Sequence, residues 1–375
     1  MYVTLGENAA ADGCFPHRTE DYIVLKSLAE EYHLAMAYYY LGCLLYDRRV
    51  YDESIEDYEE SILRSPDFPT VHRNLALAYY NVKKLPQRAY EEMEKAFALD
   101  ETDARVYLEL DQLKKRLNVA VKERWSDMEK HFDLVESRDD LYLEYVTLLN
   151  TLGEPEKALG LIKARKFHQW EGGEGKVAAQ YLTALYQLAK AAVEKEDYAE
   201  AKELLLRAVG EYPHNLGEGK LESGQENNLY YLLGLVQEKL GEAKDAFESL
   251  TRACCGESEP VGMMYYNDQP PEMIYYQGLA YRMLGEEEQA VRRFQKLVDY
   301  GREHIRDDVK IDYFAVSLPD LLIFEENLNE RNRKHCLFMM SLGLKGLGRI
   351  DEAEKCAEEL LAMDNAHQEI RVHDL

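Results

Sequence analysis

Positive charge is in short supply. Lysine and arginine number 45 against 71 aspartates and glutamates, a net charge of −26 over 375 residues. Nucleic acid needs a basic stripe against its phosphates, and an anionic membrane surface needs one too, so both are excluded as partners. The acid is spread over outward helix faces, as in YDESIEDYEE (51–60), and so reads as a solvated surface. Long apolar runs are also missing. No segment approaches the ~18–20 residues that cross a bilayer. The first residues hold neither a basic stretch nor an apolar core of signal-peptide type. Cysteine is sparse, six in all, with no CxxC pair and no Cys/His spacing that fits zinc. Adjacent Cys254 and Cys255 do not suit a disulfide framework. Reduced thiols and a cytoplasmic setting follow. No Ser/His/Asp or Cys/His constellation stands out, so no catalytic residue, cofactor or metal ligand is assigned.

What the chain does have is a recurring frame. A small residue is followed by another small one twelve positions later: Gly42 and Ser54, Ala189 and Ala201, Gly234 and Ala246, Gly278 and Ala290, Ser341 and Ala353. A large apolar or aromatic residue precedes the first of each pair by four: Tyr38, Leu185, Tyr230, Ile274 and Leu337. Pro66 and Pro213 close two of the units twelve residues after the second small position. Small residues at this spacing let two helices of a hairpin cross closely, where a larger side chain would force them apart.

The frame resembles the tetratricopeptide repeat, a helix–turn–helix unit of about 34 residues. Its clearest copies are 38–66, 230–253 and 274–297, with a weaker one at 71–100 and a last at 337–364. Segments 103–131 and 140–166 keep the helical period but lose part of the frame. The expectation is an all-α, right-handed superhelical solenoid of about eight helix pairs, running from residue 14 to 375 behind a tail of 1–13. The 28 tyrosines read mainly as wedges between helices. A concave groove lined by Tyr39, Asn74, Tyr142 and Tyr231 is expected on the first helices of the pairs.

Four stretches leave the frame: 166–176, 215–228, 258–273 and 307–335. The first two share Gly-Glu-Gly-Lys, at 173–176 and 217–220, each ahead of a helix. Equivalent loops of stacked repeats lie side by side, so the two turns are expected to be neighbours. Glycines and a helix N-terminus there suit an anionic or hydroxyl-rich ligand, with Trp170, Glu174, Lys176, Glu218 and Lys220 as candidates. The alternative is a long turn whose lysine pairs with a nearby glutamate. In the third stretch, Tyr266, Asn267, Asp268 and Gln269 set an aromatic face beside amides and a carboxylate, which suits a sugar and equally suits a packed loop. The fourth, with its apolar YFAVSLPDLLIF, reads as a packed insertion.

These loops, with FPHRTEDYIVLKSL (15–28), WEGGEGK, NLGEGKL and MMYYNDQPPEMIYYQGLA, resemble the C-terminal repeat half of a family of large proteins from carbohydrate-utilising bacteria. The N-terminal half of that family is a sandwich-like domain of unknown function, reminiscent of sugar-mutarotase folds. The resemblance covers about residues 14–369 and implies a connection with sugar metabolism; the N-terminal half has no counterpart in this sequence. The expected function is a helical-repeat scaffold that binds a protein partner or its own sandwich domain, linked to carbohydrate metabolism. The alternative is the sugar-binding half of a carbohydrate-active enzyme.

Overall fold

The structure is a computed structural model, and it describes residues 16–170, 172–220, 224–262, 268–310 and 323–373. Nineteen α-helices and no strand occur among them. After a leading α1 (Thr19–Tyr32), eight consecutive pairs follow: α2 (Ala35–Asp47) with α3 (Tyr51–Arg64), α4 (Pro69–Asn81) with α5 (Pro86–Leu99), α6 (Ala104–Arg116) with α7 (Val121–Lys130), α9 (Asp139–Thr151) with α10 (Pro155–Ala164), α11 (Lys176–Glu194) with α12 (Tyr198–Val209), α13 (Asn227–Lys239) with α14 (Ala243–Ala253), α15 (Pro271–Met283) with α16 (Glu287–His304), and α17 (Leu328–Gly346) with α18 (Ile350–Met363). A short α8 (Phe132–Ser137) sits inside this series and α19 (Gln368–His373) follows it.

Local chemistry sets the ends of these helices. Proline begins α4, α5, α10 and α15, where its missing N–H costs nothing. Asp103, Asp197 and Asn327 accept from first-turn amides of α6, α12 and α17. Within every pair the turn contains one residue at positive φ: Arg49, Lys84, Asn118, Gly153, Glu196, Gly241, Gly285 and Gly348. That left-handed residue ends the first helix and lets a following amide reach back, as Glu242 N–H does to Gln237 O at 2.9 Å. The two segments that lost the sequence frame therefore keep the repeat's turn.

The small positions do what their spacing predicts. Ser54 donates its hydroxyl to Gly42 O at 2.7 Å across the first hairpin. A Cβ added to Gly278 would lie 2.4 Å from the ring of Phe294 in α16. Gly278→Leu should therefore cost about 2–4 kcal/mol through overpacking. A urea midpoint unchanged from wild type would show that α15 and α16 do not cross there.

The chain divides into two compact units, with the boundary between Leu117 and Asn118, in the turn of the third pair. The first unit also takes in 323–325. There Phe324 is fully buried, edge-on to Tyr80 at 5.1 Å, and Asn81 bonds both Ile323 O and Glu325 N–H at 2.8 Å. In the second unit α7 packs on α9, and Asn118 is pinned by the loop after α18. The fourth irregular stretch ends earlier than expected. Residues 328–335 are the first turns of α17, because Asn327 caps the helix through Asn329 N–H and Glu330 N–H. Residues 311–322 lie outside the described residues.

Candidate functional site

The two Gly-Glu-Gly-Lys turns touch. The Glu218 carboxylate accepts from Gly175 N–H at 2.8 Å and from Ala178 N–H at 2.9 Å, so the second turn caps the N-terminus of α11, which follows the first. Two of the amides expected to attract an anionic ligand are thus already satisfied by a protein carboxylate. Lys220 is likewise engaged, donating to Val209 O at 2.6 Å and to Glu226 at 2.8 Å. Burial pushes the Glu226 carboxyl up, and the Lys220 partner opposes that. Close backbone approach explains Gly217. Its φ is +79°, and a Cβ there would stand 2.8 Å from Phe167 O.

Around these turns the surface is concave. A pocket of about 390 Å³ is lined by half-buried Trp170 together with His168, Gln169, Glu174, Leu216 and Glu218. A wider cleft of about 1160 Å³ shares Gln169 and Glu218 with it and continues along Tyr212, Lys220, Tyr230 and Arg252. The Arg252 guanidinium lies 4.2 Å from the Tyr230 ring centre, and burial pushes the Tyr212 hydroxyl up to about 12. Lys176 is exposed at the first position of α11 and does not line either concavity. Of the third loop, Tyr266 and Asn267 lie outside the described residues. Asp268 is half-buried, and Gln269 is 4% exposed with neither amide atom bonded among the described residues.

A second site is built by the first helices of the pairs in the second unit, and it is occupied. After α18 the chain turns at 364–367 and lays α19 against α9, α11 and α15. Gln368, 8% exposed, pairs its amide reciprocally with Gln180 of α11, at 2.8 and 3.1 Å, and reaches Thr147 O at 3.1 Å and the Thr151 hydroxyl at 3.2 Å. Lys190 Nζ donates to Val372 O at 2.9 Å, a cation at the C-terminal carbonyls of a helix. Tyr276 of α15 bridges the Tyr186 hydroxyl at 2.6 Å and His373 Nδ1 at 3.0 Å. Burial drives the His373 imidazole down to about 3, so it docks neutral, and raises both tyrosine hydroxyls. Burial, then the neighbouring Glu369, pushes the Glu272 carboxyl up to about 8. At the other end of the segment Asn365 donates from its backbone N–H and its side-chain amide to the Asn118 side-chain and main-chain carbonyls at 2.6 to 2.8 Å.

Of the four residues expected to line a groove, Tyr231 alone meets this network, with its ring 5.5 Å from Tyr276. Tyr39 and Tyr142 are buried instead, at 7% and 4% exposure. Tyr39 packs among Tyr40, Tyr58 and Phe68. Tyr142 lies under Arg165 and donates to Leu161 O. Both act as wedges inside a hairpin. Asn74 is half-buried beside Cys43, with its carbonyl taken by Arg73. Gln180, Lys190, Tyr276, Gln368 and His373 were not singled out from the sequence. The one available signal was a polar-apolar alternation, Gln368, Ile370 and Val372, after the last repeat.

Stacked helix hairpins with a turn residue at positive φ define an all-α repeat protein. Family models described as tetratricopeptide repeat match residues 39–104 and 186–260, and another of the same description matches 272–300. Tetratricopeptide repeats are therefore present in both units. Among solved structures, the chain is similar to PilW, a widely conserved type IV pilus biogenesis factor, at 12% identity over 62% of this chain and 92% of that one, with a TM-score of 0.34. A tetratricopeptide repeat protein from Parabacteroides merdae matches at 12% identity over 74% and 92%, TM-score 0.38. The Naa15/Naa10 structure bound to HypK-THB matches at 9% identity over 94% and 57%, TM-score 0.42. Among the described residues no group of His, Cys, Asp and Glu side chains is placed to hold a metal ion, and no helix is long and apolar enough to cross a membrane.

Proposed function

We propose that this chain is a protein-binding scaffold whose recognition surface is the face of α9, α11 and α15 in the second unit. One observation carries the reading. That face already holds a peptide segment, Asn365–His373, through side-chain amides, a lysine and a tyrosine pair. Repeat hairpins leave their first helices free to do this, and binding along such a face is the common use of a helical-repeat array. The partner belongs to carbohydrate metabolism on the resemblance of the loops, and the family's sandwich domain is the candidate for a second contact. In support, α1 packs Tyr22, Leu25 and Leu28 onto the first pair yet leaves Ile23, Val24 and Tyr32 at 66%, 50% and 52% exposure. Exposed apolar side chains grouped on one helix suit a protein contact.

Calorimetric titration of the chain with the sandwich domain of a related protein should show binding at tens of micromolar or tighter, and Ile23→Lys should weaken it tenfold or more. No heat with both partners folded removes the sandwich domain as partner. The sugar reading is supported by Trp170, half-buried in a pocket with Glu174 and Glu218. A glycan array, repeated with Trp170→Ala, tests it: a sugar retained by wild type and lost in the variant supports this reading, and an empty array ends it.

A further inference from the structure

We propose that Asn365–His373 is a resident competitor in the recognition groove, displaced by a partner segment of the same chemistry: a short helical stretch presenting a primary amide, two aliphatic residues and an imidazole. This rests on the groove being a protein-binding face.

A terminal cap would cover the last pair. This segment instead returns to helices whose partner residues lie up to 221 positions earlier in the chain, as Gln368 does to Thr147 O. The groove reads each feature separately. The amide of Gln368 meets both a donor and acceptors, through Gln180, Thr147 and Thr151, so an acid or an alkyl group there would leave buried polar atoms unmatched. Ile370 and Val372 are 6% and 7% exposed. His373 accepts or donates at Tyr276 and is 6% exposed, and that burial holds it neutral. Arg371, between the two aliphatics, is exposed and among the described residues bonds its own segment, at Asn365 O, so the groove places no demand there on that position.

The device has a low hold. The segment follows α18 directly, and its helical part, α19, is six residues long, too short to be helical alone. Its occupancy therefore comes from the groove contacts and from the high effective concentration that a short tether gives. A partner in trans binds with an affinity reduced by the fraction of time the groove is filled.

The test uses the full chain and a fluorescent peptide of sequence DNAHQEIRVH, residues 364–373. A chain carrying Gln368→Ala with His373→Ala should bind it at least tenfold more tightly than wild type, because the resident is weakened and the groove is unchanged. Adding Gln180→Ala, or Lys190→Ala should the first fail to fold, should lose that gain. In wild type, excess peptide should speed hydrogen exchange of the chain's own 368–373 amides, a readout that needs no variant. Equal binding to wild type and to the tail variant overturns the competitor while leaving the groove as a partner site. Binding to neither, with circular dichroism and unfolding midpoints unchanged, overturns both and makes α19 a fixed brace.

Discussion

Replacing Phe294 by alanine should lower the unfolding free energy by about 3–5 kcal/mol, the upper range for a buried aromatic. The ring is fully buried. It fills a space kept open from two directions by glycine: an added Cβ would stand 2.4 Å from it at Gly278 of α15 and 2.2 Å from it at Gly346 of α17. Tyr275 lies 5.7 Å away and the Arg282 guanidinium 5.0 Å away. A glycine has no side chain to lean into a vacated volume, so the cavity left by the ring can close only if helices move. In a repeat array each pair leans on its neighbours, so the loss should concentrate in α15 to α18. Urea unfolding measures the total, and hydrogen exchange its location. A loss under about 1 kcal/mol would mean that the seventh and eighth pairs do not meet through this ring.

Glu109→Ala should cost a comparable amount, about 3–5 kcal/mol, for an electrostatic reason. Arg73 of α4 grips the Glu109 carboxylate of α6 with two bonds of 2.6 Å, and Arg105 adds a third at 3.1 Å. The carboxylate side chain is 4% exposed and the Arg73 side chain 17%. Burial works against the Arg73 charge, and the bonds and charge of Glu109 restore it. Without Glu109 the guanidinium stays inside the packing between the second pair and α6 with little to offset its lost hydration. Replacing both residues, Arg73→Met with Glu109→Leu, should recover most of the stability, since an apolar pair needs no partner. If the double variant is no more stable than Glu109→Ala alone, packing rather than buried charge is what the single change disturbs.

Much of the architecture was legible because it is written in short-range spacing. A helix brings residues three and four apart onto one face, and a hairpin brings residues about twelve apart to its crossing. Hence the small positions such as Gly42 and Ser54, or Gly278 and Ala290, are visible in sequence, and about eight pairs are countable, whereas the Phe294 ring that Gly278 makes room for lies off that spacing. Even the two pairs with a degraded frame keep the turn residue at positive φ, Asn118 and Gly153. The shared Gly-Glu-Gly-Lys also foretold correctly that its two turns are neighbours, since stacked pairs bring equivalent loops together.

What the spacing could not say is which polar group answers which. That Glu218 caps α11, and so uses up two of the amides an anion would have sought, depends on a pairing across 43 and 40 residues. That Tyr39 and Tyr142 turn into the hairpins, while Tyr231 and Tyr276 reach the groove, depends on the angle at which each pair meets the next. The return of α19 to Gln180, 188 residues away, depends on packing between distant pairs of the second unit. Periodicity sets which face of a helix is buried. The partner it is buried against is chosen by small rotations accumulated over many pairs, and no local pattern encodes that sum.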